Sequence, residues 1–260
     1  MTVREQPEVE ERDRPAAAGV VVYGVVRPRV ALDHAVEGVA GAPVDLVAAG
    51  KTAALVSDVE TLDLRATRRD LLAHSRVLEL ALESSPVLPL RFGIVFRDRE
   101  SVVSELLVPR RAELESLLSR LEGLVELRVK AFYVEDEVLR DVISSDASLG
   151  SLAAATRGLP EGVPHPDRLR LGEAVAHAVE RERRSDAEAI LERLRPLAKD
   201  VAIEPEPPTG YVLTASFLVD RDRVGAFDAA MDDLARRSAP RLRFKYVGPL
   251  PPHSFVSFDT

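Results

Sequence analysis

Side chains capable of acid–base, nucleophilic or metal chemistry are scattered along this chain instead of being grouped by spacing. None of its five histidines pairs with another at metal-ligand spacing on one predicted element: His34, His74, His165, His177 and His253. The chain has no cysteine, which excludes disulfides and thiolate metal sites. It contains no GxSxG or HExxH motif, and Gly50-Lys51-Thr52 lacks the glycines of a phosphate loop. We therefore predict no enzyme activity, no catalytic residue, no metal site and no cofactor.

His74 is the histidine that most resembles a functional residue, because it lies beside the apolar positions Leu71 and Leu78 of a predicted helix. One interpretation is an axial haem ligand in a ferredoxin-like domain. The other is a partly buried histidine that is hydrogen-bonded to the backbone. A visible absorption spectrum distinguishes the two, because a bound haem gives a Soret band.

The charge pattern excludes several classes of partner. A net charge of -8, with no basic domain to offset it, argues against nucleic-acid binding. Charges alternate along predicted helix surfaces, as in residues 180–184, ERERR, which is typical of a solvated face. No apolar run reaches the roughly 20 residues of a membrane helix, and the N-terminus has no signal-peptide core. These features predict a soluble cytoplasmic protein that binds neither nucleic acid nor membrane.

The strongest structural pattern lies in residues 86–96, PVLPLRFGIVF, which alternate with the period of a strand. One face is predicted to be apolar and buried, and consists of Leu88, Leu90, Phe92, Ile94 and Phe96. Pro89 has no N–H to give to a ladder, so we predict an edge strand. Arg91 is left on the other face beside Gly93, where the missing Cβ allows a close approach.

The two halves of the chain show the same predicted order of strand, helix, strand, strand, helix, strand. Strands are predicted at residues 19–26, 44–49, 52–57 and 86–96, and then at 124–134, 201–204, 211–219 and 241–247. A short helix is predicted at 31–39 and longer ones at 102–121 and 169–197. This order is that of ferredoxin-like folds. We therefore predict an α+β protein of two ferredoxin-like βαββαβ domains, 19–122 and 123–260, the second with extra long helices. Residues 1–18 are predicted to be a disordered tail that is dispensable for folding.

Two surfaces are candidates for partner contact. The strands of the first half carry few polar residues on either face. The face without helices therefore needs cover from the second half, from another copy or from a hydrophobic partner. In the second half, charged residues are predicted to share the open face of the sheet, which makes it either a merely soluble surface or a site for acidic partners. These residues are Glu126, Arg128, Lys130, Arg241, Arg243 and Lys245.

Three segments resemble the gas vesicle protein F/L family. Residues 87–96, VLPLRFGIVF, are similar to a family signature with the pattern VLPxRFGTVF. Residues 246–255, YVGPLPPHSF, are similar to its closing YxGPWPPYxF, and Tyr23-Gly24-Val25-Val26 resembles its opening strand. Leu250 and His253 depart from the pattern, since the family usually has Trp and Tyr there. With matching spacing, the resemblance covers residues 19–258.

The resemblance implies a gas vesicle accessory or minor structural protein, located in the cytoplasm and at the gas vesicle and so serving buoyancy. It would bind the small hydrophobic shell protein and other gas vesicle proteins, and assist nucleation and assembly in a chaperone-like way. The family-signature or partner-binding residues are then Tyr23, Pro89, Arg91, Phe92, Gly93, Tyr246, Gly248, Pro249, Pro251, Pro252 and Phe255. The alternative is a ferredoxin-like small-ligand or haem-binding protein or enzyme.

Residues 248–255, GPLPPHSF, are predicted to leave the sheet, because their three prolines supply no N–H. The segment would run extended across its own domain, with Leu250 and Phe255 in an apolar groove. We predict that both signatures meet at the domain boundary, where Arg91 donates hydrogen bonds to carbonyls near Gly248-Pro249.

Overall fold

The structure of the protein, a computed structural model, describes residues 18–31, 36–157 and 165–256. The chain divides between Glu122 and Gly123 into two compact units, each with a mixed α/β architecture and one antiparallel sheet. His34 and all but the last residue of the predicted tail lie outside the described residues. Among the described residues, no helix has both the length and the apolar composition needed to cross a membrane.

The described part of the first unit contains a five-stranded sheet with the order β2-β3-β1-β4, in which β5 also pairs with β1. The strands are β1 Gly19–Val26, β2 Asp45–Ala49, β3 Thr52–Val59, β4 Val87–Pro89 and β5 Val95–Phe96. The strands predicted at 44–49 and 52–57 are confirmed, and they form a hairpin whose turn residue Gly50 has a φ of +66°. The predicted edge position of Pro89 is also confirmed, because β4 ends the strand order.

All eight residues of β1 are buried, which requires cover on both faces of the sheet. Helix α1, Arg68–Leu82, packs against β1 and β4, and begins at the N-cap Thr67, whose hydroxyl accepts from the Asp70 N–H at 3.2 Å. The segment from Asp98 to Arg120 packs against β2, β3 and β4. We infer that this segment covers the second face of the sheet. The first unit therefore covers that face with its own residues, whereas the sequence suggested that the cover would come from outside the unit.

The segment 98–120 is helical but interrupted, as the position of Pro109 predicts. It comprises α2, Arg99–Ser101, a π-helical stretch, Val102–Leu107, and α3, Arg111–Arg120. The short helix predicted at 31–39 is wrong in its described part. Glu37 there forms a β-bridge with Pro43, and Val39–Gly41 is a single 3-10 turn.

The single strand predicted over residues 86–96 is wrong, because β4 and β5 are separate short strands on β1. The Leu90 N–H donates to the Tyr23 carbonyl at 2.8 Å, and the Val22 N–H donates to the Ile94 carbonyl at 3.0 Å. Residues 91–93 thus leave the ladder, and Gly93 adopts a φ of +90°. The predicted buried face holds for Leu88 and Leu90 and fails for Phe92, Ile94 and Phe96, which are half-buried.

The described part of the second unit contains a four-stranded sheet with the order β7-β8-β6-β9. The strands are β6 Leu124–Tyr133, β7 Asp200–Ile203, β8 Tyr211–Asp220 and β9 Leu242–Leu250. The helices are α4 Glu135–Ser145, α5 Ala147–Thr156, α6 Pro166–Leu194 and α7 Val224–Ser238. Phe217 of β8 and Phe227 of α7 pack with ring centroids 5.2 Å apart, so α7 covers one face of the sheet. The other face carries the polar side chains.

Two predictions for the last strand are wrong. Strand β9 continues to Leu250, which pairs with Glu126 across a bulge, so the segment 248–250 stays in the sheet. Arg241 precedes β9 and does not share the open face. Its guanidinium donates instead to Asp186 and Glu182 of α6, at 2.6 and 3.1 Å.

Candidate functional site

Residues of the first signature gather around a histidine that the signature does not include. His74 is buried, and its ring centroid lies 5.2 Å from that of Tyr23 and 5.7 Å from that of Phe92. Its Nε2 lies 3.1 Å from the Leu90 carbonyl oxygen, which can only accept a hydrogen bond. The backbone-bonded interpretation of His74 is therefore confirmed, and the residue ties α1 to the signature segment.

The Tyr23 hydroxyl is the centre of a buried hydrogen-bond chain. It donates to Ser57 Oγ at 2.8 Å and accepts from the Val39 N–H at 2.8 Å, while Ser57 donates onward to the Pro43 carbonyl at 2.7 Å. Burial raises the pKa of Tyr23, so the phenol remains a proton donor. This chain fixes the connection between β1 and β2, and gives Tyr23 a structural role.

Tyr23→Phe should lower the free energy of unfolding of the first unit by about 2 kcal/mol. The substitution keeps the ring but leaves the buried Val39 N–H without its acceptor. Urea unfolding followed by far-UV circular dichroism measures the loss. Tyr211→Phe is the matched control, because that hydroxyl makes no hydrogen bond with the described residues of its unit. Equal stability of the two variants would contradict the role given to Tyr23.

The other residues of the first signature occupy the edge of the sheet. Pro89 is buried and pairs with Gly24, whereas Arg91 and Gly93 are exposed in the loop between β4 and β5. Arg91 makes no hydrogen bond or ion pair with the described residues of its own unit. Its predicted contact with Gly248-Pro249, and the meeting of the two signatures, stay predictions.

The second signature packs on the sheet of its own unit. The Tyr246 hydroxyl donates to Asp228 at 2.6 Å, and its ring stacks on Phe227. Gly248 passes so close to β6 that a Cβ there would lie 2.5 Å from Leu127 Cδ2 and 3.0 Å from the Glu126 carbonyl oxygen. Pro249 is exposed. Pro251 and Pro252 are buried, and Leu250 and Phe255 are half-buried. His253 is exposed, so the two departures from the family pattern occupy different environments.

Glu126 holds the closing segment in place. Its side chain has no exposed surface, and its Oε2 accepts from the Ser254 N–H at 2.8 Å. Its Oε1 lies 2.8 Å from Ser216 Oγ, 2.9 Å from Ser254 Oγ and 2.7 Å from Arg128 Nη2. We call Glu126, Arg128, Ser216 and Ser254 the Glu126 cluster. A carboxylate with this many donors is a structural anchor and not a free general base.

Three members of the Glu126 cluster, Glu126, Arg128 and Ser216, lie outside the signatures. The alternation of residues 124–134 places Glu126 and Arg128 on one face, but it does not show that Glu126 is buried. The serines are 90 and 128 residues further along the chain. The one sequence signal for them is Ser254 inside the closing signature, next to His253.

The family model described as "Gas vesicle synthesis protein GvpL/GvpF" matches residues 19–257 of the chain. The chain belongs to this family. A gas vesicle protein F of Streptomyces sp. (strain CB03234) is 40% identical over 239 residues, which cover 90% of this chain and 98% of that relative. This relative is named as a gas vesicle protein and not as an enzyme.

Two crystal structures of GvpF share the fold of this GvpL/GvpF family member. The structure from Anabaena sp. PCC7120 has a TM-score of 0.80 at 24% identity, and covers 94% of this chain and 100% of that one. The structure from Microcystis aeruginosa has a TM-score of 0.75 at 24% identity, and covers 93% and 100%. Both match the mixed α/β architecture with two antiparallel sheets. Family membership makes this a gas vesicle-related protein, as the signatures in residues 87–96 and 246–255 predict.

Proposed function

We propose that this protein is a non-catalytic gas vesicle accessory or minor structural protein, which binds the small hydrophobic shell protein and assists vesicle nucleation and assembly. The observation that carries the proposal is the match of the family model to nearly the whole described chain, residues 19–257. We place the protein in the cytoplasm and at the gas vesicle, with other gas vesicle proteins as further partners. Its chaperone-like role would be to shield the apolar face of a shell subunit before assembly.

The loop between β4 and β5 is the contact surface that we propose for the shell protein. Arg91 and Gly93 match a family signature yet are exposed, so they contribute little to the core. Phe92 and Ile94 beside them are half-buried and leave part of their apolar surface available. An arginine next to partly exposed apolar side chains is a typical composition for a protein interface.

Arg91→Glu should weaken capture of the shell protein at least about tenfold, which corresponds to about 1.4 kcal/mol of binding free energy. Arg91→Lys should weaken it less, because the charge is kept and the planar donor fork is lost. Co-purification of the shell protein from cells that express both proteins measures capture.

Arg97→Glu is the matched control, because Arg97 is exposed but lies outside the loop. Both Arg91 variants should reach half-unfolding at the same urea concentration as the wild type, since Arg91 makes no hydrogen bond or ion pair with the described residues of its unit. If Arg91→Glu captured the shell protein as well as the wild type does, the proposed contact surface would be wrong.

We also propose that the two units are the predicted ferredoxin-like domains. In each sheet the strands, counted from the start of the unit, follow the spatial order second, third, first, fourth. Each described pairing is antiparallel, as that pattern requires. Helices α4 to α6 connect the first two strands of the second domain and would supply both the first helix of the pattern and the insertion. The described residues between β1 and β2 of the first domain hold a 3-10 turn in place of that helix.

A further inference from the structure

A cavity of about 310 Å³ opens on the polar face of the second unit's sheet. Its lining includes Arg128 and Lys130 of β6, Thr214 of β8, and Ser254 of the closing segment, with Glu204 at the end of β7. This volume lies at the lower end of the range for cavities that bind small ligands. Arg128, Ser216 and Ser254 of the Glu126 cluster line part of the cavity, and Lys130 and Thr214, which pair directly across β6 and β8, line the part next to it.

Thr214 is a buried hydroxyl that lacks a partner. The residue is 8% exposed, and its Oγ1 makes no hydrogen bond with any residue that the structure describes. Buried polar atoms are nearly always satisfied, because an unpaired one retains the cost of its desolvation. Ser216 on the same strand face meets this requirement through Glu126. Thr214 therefore lines the cavity, and its hydroxyl is available to form a hydrogen bond with a ligand.

Lys130 brings a positive charge to the same cavity. It lies directly opposite Lys245 in the β6–β9 ladder, so the two side chains share a face. Neither forms an ion pair with a described residue, whereas Arg128 is bound to Glu126. Like charges placed directly opposite each other destabilise a ladder. A bound anion would remove that repulsion.

We propose that this cavity binds a carboxylate, held by the Lys130 ammonium and the Thr214 hydroxyl. Both groups donate hydrogen bonds to anionic oxygens, and bonds of this kind are stronger than neutral ones. Glu204 in the lining favours a singly charged carboxylate over a phosphate dianion. The carboxylate belongs either to a small organic acid or to an Asp or Glu side chain of a peptide. The site is separate from Arg91 and does not depend on the proposed shell-protein contact.

Titration of the full chain by amide NMR tests the ligand class with four probes. They are propionate, an acetylated and amidated Gly-Glu-Gly peptide, the same peptide with Gln, and inorganic phosphate. We expect propionate or the Glu peptide to shift the resonances of β6 and β8 with a Kd at or below about 1 mM. The Gln peptide should cause no shift. Binding of propionate alone identifies a small acid, and binding of the Glu peptide identifies a peptide carboxylate. Absence of binding, or tighter binding of phosphate, overturns the proposal.

Lys130→Gln and Thr214→Val test the two donors. Each should weaken carboxylate binding about tenfold, with an unchanged far-UV spectrum. Lys199→Gln is the matched control, because it removes the same charge from the same unit outside the cavity, where Lys199 forms an exposed ion pair with Asp220. Thr214→Val keeps the shape of the side chain and removes only the unpaired hydroxyl, so its melting temperature should not fall. Wild-type affinity in both cavity variants would overturn the assignment.

Discussion

Glu126→Ala should lower the free energy of unfolding of the second unit by about 3 kcal/mol, the low end of the cost of breaking a buried ion pair. The Arg128 side chain is partly exposed, so water can solvate its charge once Glu126 is gone. We therefore expect a loss of stability at the low end of that range. The serine hydroxyls and the Ser254 N–H would lose the acceptor that now lies 2.8 to 2.9 Å from them. Urea unfolding followed by circular dichroism measures the loss, since the chain has no tryptophan.

Two further variants show whether the loss comes from the buried cluster. Glu126→Gln keeps the shape but replaces one acceptor with a donor, so we expect a smaller loss of about 1 to 2 kcal/mol. Glu137→Ala removes a carboxylate from a surface pair with Arg140 in the same unit, and should cost at most about 0.5 kcal/mol. If Glu126→Ala were no more harmful than Glu137→Ala, the cluster would not anchor the closing segment.

Features set by a few neighbouring residues were predictable from the sequence. Gly50 supplies the positive φ of the β2–β3 turn, and Thr67 caps α1 with its own hydroxyl. Pro109 interrupts the helical segment for lack of an N–H. Each of these signals acts within about four residues, so tertiary packing has little chance to override it.

The break in the signature strand was not predictable from periodicity. Residues 86–96 alternate well enough for one continuous strand, but β1 itself has a bulge between Val22 and Gly24. That bulge lies in the pairing with β3. On the side of β4 and β5, Pro89 lies opposite Gly24 and Val95 opposite Val21, so the loop that contains Gly93 holds residues in excess of those on β1. This fit between two distant segments cannot be seen in either one alone.

In the closing segment, the local rule for proline predicted less regular structure than the protein has. Prolines without N–H groups predict an end to pairing, yet Gly248 lets β9 approach β6 closely enough to continue through Leu250. The buried position of Glu126 likewise depends on Ser254, 128 residues away. Burial of a charged side chain is decided by such distant donors, which alternation along one strand does not encode.

Truncation after Val247 is expected to destabilise the second unit by more than about 3 kcal/mol, since it removes the donors of Ser254 and further packing. Pro251 and Pro252 are buried, and Leu250 continues the β6 ladder, so their loss exposes the sheet as well as Glu126. We also expect vesicle formation to be abolished, on the proposed function.

Hydrogen exchange with mass spectrometry locates the effect of the truncation. Protection should fall in β6 and β8, because the missing segment packs on them, and should persist in β1 and β3 of the first unit. Truncation after Val256 keeps all contacts of the Glu126 cluster and is the matched control. Ser254→Ala in the full chain separates the hydroxyl from the rest of the segment, and should cost about 1 kcal/mol. If the protein truncated after Val247 keeps full protection in β6 and still supports vesicles, the segment is a passive tail and Glu126 is stable without its donors.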